Sequence, residues 1–454
     1  LIGVADLIEA VPVVEAALRR RGAGAIAGRL GWGLADQAVS SLTNFAVGLV
    51  VARDLGATRF GEFSLAWLTY GLMLNVSRGV ATDPLMVRFS GGLPRAIWAA
   101  AVRSATGAAL AVGSLTSALV VVVGWALGGE LGGGFLALGL TLPAVFLQDS
   151  WRFAFFAAGE GHKSLLNDCV WAIFLVPALI FAHGAHSMPG YLLGWGAAGA
   201  VAALFGMVQS GMVPDLGAVG IWLGRHRDLC CRYVLDNSLS SAAQVWIYGM
   251  GAIAGLAAVG TVRGAQQLFG PFQVLVIGFS MITVSEGARM LRTRPQRLIR
   301  LSIVIGMVQS TAAAIWGCGL MLLPTRVGRG LLGGLWDQSS RLILPAMLVV
   351  VGTAWYTAGA SGLRALAAAR RSLRARIVSS TLTVSCALTG ASVDGARGAI
   401  WGIAGAMVGN NVALWTHLRR GLREYLIARS ESGPVAQDGR QPGREEHAGF
   451  IVSA

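Results

Sequence analysis

A chain of 454 residues that is 55% hydrophobic and only 13% charged, with a mean hydropathy of +0.64, carries more apolar surface than a soluble fold can hide from water. Its apolar residues come in runs of about 20, the length of a membrane-crossing helix, and not in the ten-residue alternating segments of a barrel, so the fold class is an all-α polytopic membrane protein. The formal net charge of +14 would suit nucleic acid, but almost all the basic residues sit in short connections between apolar runs, which excludes that partner.

In residues 1–29, Val4, Leu7, Ile8, Val11, Val14 and Leu18 repeat at helical spacing and lead into Arg19, Arg20 and Arg21. Two readings stand side by side: an amphipathic helix lying on the cytoplasmic leaflet, or a loosely ordered leader. The arginines precede a full-length span and not a short apolar core, so no cleavable signal is predicted.

The first predicted span, 30–52, is the most polar. Asp36, Ser40 and Asn44 are spaced i, i+4, i+8 and form one stripe on a helix, with Gln37 and Ser41 beside it. A carboxylate at the centre of a span costs roughly 2.5–3.5 kcal/mol on insertion scales, so such a residue faces a bundle interior or a wet cavity. This helix is expected to line something.

Eleven further spans follow, at about 62–83, 104–127, 131–151, 165–183, 190–211, 233–255, 265–287, 301–323, 342–361, 377–394 and 398–418. With a cytoplasmic N-terminus, the inside segments hold 28 of the 36 lysines and arginines, the outside loops hold 7, and Arg78 lies within a span. That bias predicts both termini in the cytoplasm. The connection 212–232 divides the chain into a first six-helix lobe, 30–211, and a second, 233–418. The segment 419–454 is polar, contains glycine and proline, and reads as a disordered tail.

A shift of 200 residues lays Asp36, Gln37, Ser40 and Ser41 on Asp236, Asn237, Ser240 and Ser241. Asp236, Ser240 and Gln244 repeat the stripe at the start of the second lobe. A weaker echo joins Lys163-Ser164-Leu165 to Arg371-Ser372-Leu373. Each half has an even number of spans, so both copies enter the membrane in the same direction. The predicted architecture is two pseudo-symmetric six-helix bundles facing each other across a cleft, with alternating access by rocking.

The second span adds Asn75, Arg78 and Thr82 on one helical face, with Arg78 at a depth where it could pair with Asp36. Two readings of that pair remain: a cavity cation that an anionic headgroup competes for, or a fixed salt bridge. At the end of the fourth span Asp149 and Arg152 are i, i+3 neighbours expected to pair, with Asp168 nearby on the fifth. Gly398, Gly402, Gly405 and Gly409 predict close helix packing in the last span. His183 and His186 have no carboxylate near them in sequence, so no metal site is expected there. Cys169, Cys230, Cys231, Cys318 and Cys386 make no Cys-x-x-Cys pair, which argues against disulfides and zinc.

Asp36-Gln37 with Ser40-Ser41 and Asn44, then Val51-Ala52-Arg53-Asp54-Leu55-Gly56, Phe60-Gly61, Arg78, Asp83-Pro84 and Arg88, resemble bacterial Wzx-like polysaccharide flippases of the multidrug/oligosaccharidyl-lipid/polysaccharide (MOP) exporter superfamily. The stretch from Gln148-Asp149 to Trp171 is similar to the same group. The resemblance implies flipping of an undecaprenyl-pyrophosphate-linked oligosaccharide across the inner membrane for cell-surface polysaccharide biosynthesis, without a cofactor. The stripes and their repeat give an expected cavity lined by Asp36, Ser40, Asn44, Asn75, Arg78, Asp236, Ser240 and Gln244, with Arg88, Asp149, Arg152 and Asp168 as structural or gating groups. Partners are the lipid-linked glycan, membrane lipids and a coupling proton or sodium ion. The alternative is a cation-coupled multidrug antiporter of the same superfamily. A membrane-embedded glycosyltransferase would need a larger acidic or histidine-bearing loop than the outside connections of at most about 20 residues provide.

Overall fold

A computed structural model describes residues 4–90 and 94–431, and among them every regular element is a helix. The expectation for 1–29 falls mostly on side chains outside the described residues, as does the tail beyond 431. The first helix, α1, is Val4–Ser77, but Gly56, at φ 74° and ψ −177°, breaks it into two arms. Length demands the break. The apolar stretch Gly31–Phe89 has 59 residues, which as one straight helix would reach about 90 Å, three times a hydrocarbon core. Positive φ at that turn is cheap only for glycine.

The second arm continues through a single π-helical turn, Arg78–Thr82, into α2 (Asp83–Phe89). Four passes complete the first half: α3 (Arg95–Leu127), α4 (Gly129–Ala157), α5 (Gly161–Ala185) and α6 (Met188–Ser210). The seventh pass is α7 (Val219–Ala242) with α8 (Trp246–Ala254), and the eighth is α9 (Leu256–Gln267) with α10 (Gly270–Thr293). Then α11 (Leu298–Met321) crosses, the short α12 (Thr325–Leu332) and α13 (Trp336–Ser339) follow, and α14 (Ile343–Ala365) crosses back. The last two passes are the arms of α15 (Ala369–Glu431), bent at Asp394 and Gly395. The chain is thus an all-α polytopic membrane protein, and its described helices are arranged as twelve passes.

Three stretches differ from the pattern read in the sequence. The connection 212–232 is irregular only to 218, after which α7 runs unbroken into the seventh pass. The last helix continues to Glu431. The expected outside loop 256–264 is helical, because Gly255, at φ 85° and ψ 167°, reverses the chain in one residue. Arg263 is therefore a helical residue.

Gly255 and Gly56 share one conformation and stand 199 residues apart, so the repeat extends to the backbone. It also builds the contact between the halves. A Cβ on Gly61 would lie 2.0 Å from the Leu256 carbonyl oxygen, and one on Gly260 would lie 1.8 Å from that of Ala57. Under the same shift these two contacts are images of each other, which places the pseudo-twofold axis between Gly61 and Gly260. At this face one core spans both halves, joining Val51 and Phe63 of α1 to Val259, Val262 and Trp336. Toward the opposite, arginine-rich face, each half has its own apolar cluster, around Trp151 and Phe155 in the first and around Leu363 and Leu418 in the second.

The last span packs closely at Gly398, Gly402 and Gly409, whereas Gly405, expected in the same contact, has nothing within 4 Å of where its Cβ would lie. Cβ atoms on Gly398 and Gly402 would fall 2.0 and 2.1 Å from the carbonyl oxygens of Gly390 and Cys386 on the arm before it. All five cysteines are free.

Candidate functional site

Asp36 is buried in the first half, but its partner is not Arg78. Arg152 Nη2 lies 2.5 Å from Asp36 Oδ2, and the Ser164 hydroxyl donates to Asp36 Oδ1 at 2.8 Å. Arg152 also lies 3.0 Å from Asp168 and 3.7 Å from Asp149, its i, i+3 neighbour. Arg78 instead makes a two-pronged pair with Asp149, Nε to Oδ2 at 2.9 Å and Nη2 to Oδ1 at 2.6 Å. Its guanidinium stands 5.1 Å from the centre of the Phe153 ring. Helix packing explains the exchange: α4 packs against both α1 and α5 and presents Asp149 and Arg152 one turn apart, the first to Arg78 and the second to Asp36. Gln148 completes the network, its amide donating to Asn167 and Asp168 at 3.0 Å each.

Three carboxylates and two guanidiniums thus meet at one depth, leaving one surplus negative charge when all are ionised. Both arginines are held by carboxylates, and the Arg78–Asp149 fork has the strongest side-chain geometry available to such a pair. Arg78 is therefore a braced cation on the wall of a cavity.

The π turn after Asn75 has a local cause. Pro84 supplies no backbone donor and its ring crowds the carbonyl four residues earlier, so the Val80 oxygen leaves the helical ladder. Trp222 Nε1 and Cys230 Sγ reach that oxygen at 3.0 and 3.3 Å. The Asn75 amide donates to Ser241 at 2.6 Å, and Asn237 donates to Asp83 at 2.8 Å. These bonds tie the second pass to the seventh. Arg88 continues the seam, with Nη1 2.7 Å from His226 Nδ1 and Nη2 3.5 Å from Asp228. Asn75, Arg88 and Asp83 therefore hold the two halves together along α7, and Thr82 is buried on its own helix, bonded to the Arg78 carbonyl.

The second copy of the stripe does not repeat the chemistry of the first. Asp236 and Ser240 are exposed and both bond Arg376, with Asp236 Oδ1 3.1 Å from its Nη1. Gln244 alone faces a cavity, because the helix loosens between Ala242 and Trp246 and rotates it away from the other two.

Two cavities meet at Asn44 and Trp67. The smaller, about 220 Å³, lies in the first half and is lined by Ser40, Tyr70, Arg78, Asp149 and Trp171. The larger, about 530 Å³, lies between α1 and the second half, and Gln244, Gln266, Gln267 and Arg263 supply its polar wall. Arg263 is absent from the expected site, because the sequence places it in a loop. Among the described side chains its one partner is Gln266, at 3.2 Å, and no carboxylate among them pairs with it. An unneutralised guanidinium on a partly buried wall is costly unless an anion or water reaches it. The aromatic wall between the cavities was also missed: Trp195 packs on Trp67, Tyr70 and Trp171 with ring centres 5.0, 4.8 and 5.4 Å apart.

No family model matches the chain, and no curated protein matches it in sequence. Solved structures do match its fold. It is similar to the inward-facing conformation of a multidrug resistance MATE family transporter of the MOP superfamily, with a TM-score of 0.60 and 15% identity over 87% of this chain and 96% of that one. It is similar to the lipid II flippase MurJ in an inward closed conformation, with a TM-score of 0.64 and 10% identity over 88% of this chain and 91% of that one. A MOP superfamily transporter from Pyrococcus furiosus aligns with a TM-score of 0.58 and 15% identity, over 89% and 96% of the two chains. Identities this low establish a common fold and nothing finer.

Proposed function

We propose that this chain is an alternating-access transporter that flips a lipid-linked, anionic oligosaccharide across the bacterial inner membrane, with its arginine-rich face in the cytoplasm. The observation that carries this reading is Arg263, a guanidinium without a carboxylate partner among the described residues, on the wall of a cavity of about 530 Å³ between the halves. That volume suits a headgroup with one or two sugars. A pyrophosphate would supply the charge that Arg263 lacks, and the amides of Gln244, Gln266 and Gln267 offer further donors. Trp67 and Tyr70 present faces on which sugar rings stack. The fold shared with a lipid II flippase is consistent with this cargo.

The test is flipping in proteoliposomes loaded with an undecaprenyl-pyrophosphate-linked oligosaccharide and read by its exposure to an external glycosidase. Wild-type protein is expected to expose the sugar. The Arg263→Gln variant is expected to lose most of that activity while remaining folded. Equal activity in the two would overturn the assignment.

One observation favours a second reading. The surplus carboxylate among Asp36, Asp149 and Asp168 suits a proton or sodium ion, as a cation-coupled multidrug antiporter would require. Proton-driven efflux of a small cationic dye from the same vesicles, with no movement of the glycan lipid, would select it.

A further inference from the structure

A second cluster stands away from both cavities, at the Gly56 face. The chain leaves α5 at His186 with a left-handed φ of 45°, a conformation that strains a non-glycine residue by about 1–2 kcal/mol. That turn folds the His186 ring back beside His183, with ring centres 5.0 Å apart. Both imidazoles then converge on one oxygen from another helix. His183 Nδ1 lies 3.0 Å and His186 Nδ1 2.9 Å from Asp54 Oδ1, while Tyr191 donates its hydroxyl to Asp54 Oδ2 at 2.8 Å. The carboxylate that the sequence failed to place near the histidines thus comes from the last turn of the first arm of α1, more than 120 residues away.

The burial pattern suits a ligand set. The Asp54 side chain is 7% exposed, whereas those of His183 and His186 are 61% and 62% exposed, so a fixed carboxylate sits beneath two imidazoles open to water. One ligand atom from each residue lies within 4.8 Å of the others. Tetrahedral bonds of about 2.0–2.1 Å would set neighbouring donors about 3.3 Å apart, so each nitrogen–oxygen distance need lengthen by only a few tenths of an ångström. Two nitrogens and one carboxylate select a borderline ion such as Zn²⁺ over the oxygen-seeking Mg²⁺ and Ca²⁺. The Tyr191 hydroxyl would orient the carboxylate from outside the ligand set. The nearest cation, Arg59, does not oppose a metal, because it pairs with Glu130 at 2.8 Å and donates to the His186 carbonyl.

We propose that Asp54, His183 and His186 bind a borderline divalent metal ion, with water completing its coordination, and that the ion pins the end of the first α1 arm to the α5–α6 turn. The position gives that pin a consequence. Asp54 stands two residues before the break at Gly56, and the carbonyl of its neighbour Arg53 packs against Gly333 of the second half, where a Cβ would come within 2.3 Å of it. Metal binding would therefore stiffen one of the places at which the halves touch on this face.

The experiment uses purified full-length protein with any polyhistidine tag removed. Added Co²⁺ is followed by its visible ligand-field absorption, and Zn²⁺ by competition and by the shift in unfolding temperature. One ion per chain is expected, with Zn²⁺ raising the unfolding temperature as its concentration passes the dissociation constant. His183→Ala and His186→Ala change exposed side chains and leave the fold intact. Each is expected to weaken binding at least as much as the roughly 10- to 100-fold that losing an outer partner costs. His162→Ala, on the other side of the bundle, is expected to leave it unchanged. Absence of binding at 100-fold excess Zn²⁺, or binding that survives both His183→Ala and His186→Ala, would overturn the proposal.

Discussion

Asp36 and Asp236 occupy the same place in the two halves of a 200-residue repeat, yet they live in different physical worlds. Asp36 is buried, bonded to Arg152 and Ser164, and part of a network of three carboxylates and two arginines. Asp236 is exposed and, among the described residues, meets only Arg376 beyond its own helix. The echo that joins Lys163-Ser164-Leu165 to Arg371-Ser372-Leu373 puts Arg376 where the first half has Asp168, so a carboxylate in one half is answered by a guanidinium in the other. The second half therefore keeps the backbone of the repeat, down to Gly255 for Gly56, while the counterparts of Asp36 and Ser40 have moved to the surface. Symmetry here belongs to the hinge and not to the chemistry.

The largest expected effect breaks the first half's network. Arg152→Ala leaves Asp36 and Asp168 buried without a counter-charge, which costs about 3–5 kcal/mol. Detergent-solubilised protein should lose a large part of its thermal stability, and an unchanged unfolding temperature would show that the network is hydrated.

Next in size is a test of the symmetric part. Gly61→Ala and Gly260→Ala each drive a methyl group into a backbone carbonyl of the other half, at a cost of about 1–3 kcal/mol. If the axis passes between them, the two substitutions should destabilise the protein alike. They should also raise the reactivity of a cysteine introduced at the Gly56 face. Unequal effects would mean that the contact is not shared.

Asp236→Asn should change stability by no more than about 0–1 kcal/mol, as expected of an exposed pair, whereas Asp36→Asn should cost several times more. Measured together in one unfolding series, the two substitutions test the asymmetry directly.

The smallest effect concerns the seam along α7. His226 lies outside the spanning part of that helix, and burial, followed by the charges of Arg88 and Arg225, holds its pKa below the usual 6.5 against the opposing pull of Asp228. The unfolded chain takes up a proton near 6.5 and the folded chain only at lower pH. Stability from this group is therefore full above about 6.5 and falls as the pH drops toward the folded value. Unfolding temperatures recorded from pH 7.5 to 5.5 should fall, and His226→Gln should flatten part of that slope.

Much of the fold was legible because it follows from hydrophobic length and charge placement, which act one segment at a time. Twelve spans, the parallel repeat and the glycine contacts of the last span all follow from such patterns. The site was less so. Asp36 and Asp149 announce themselves as polar residues in apolar runs, but which arginine each meets depends on the order in which α1, α4 and α5 pack. Arg263 was hidden by the assumption that reversing the chain takes a loop, when a single glycine at 255 suffices. Asp54 and the two histidines were hidden by distance along the chain. A glycine at 255, which the repeat brings opposite Gly56, was the clue in the sequence that would have moved Arg263 into a helix.

The most direct test of the account is binding of an undecaprenyl-pyrophosphate-linked sugar to purified protein, measured by native mass spectrometry on Arg263→Gln and Arg78→Lys. Loss of a charge-assisted contact worth about 1.5–3 kcal/mol should weaken binding by roughly 10- to 100-fold in Arg263→Gln. Arg78→Lys keeps a cation beside Asp149 and should bind as wild type does. The reverse outcome, binding kept in Arg263→Gln and lost in Arg78→Lys, would return the headgroup to the first half and contradict the account.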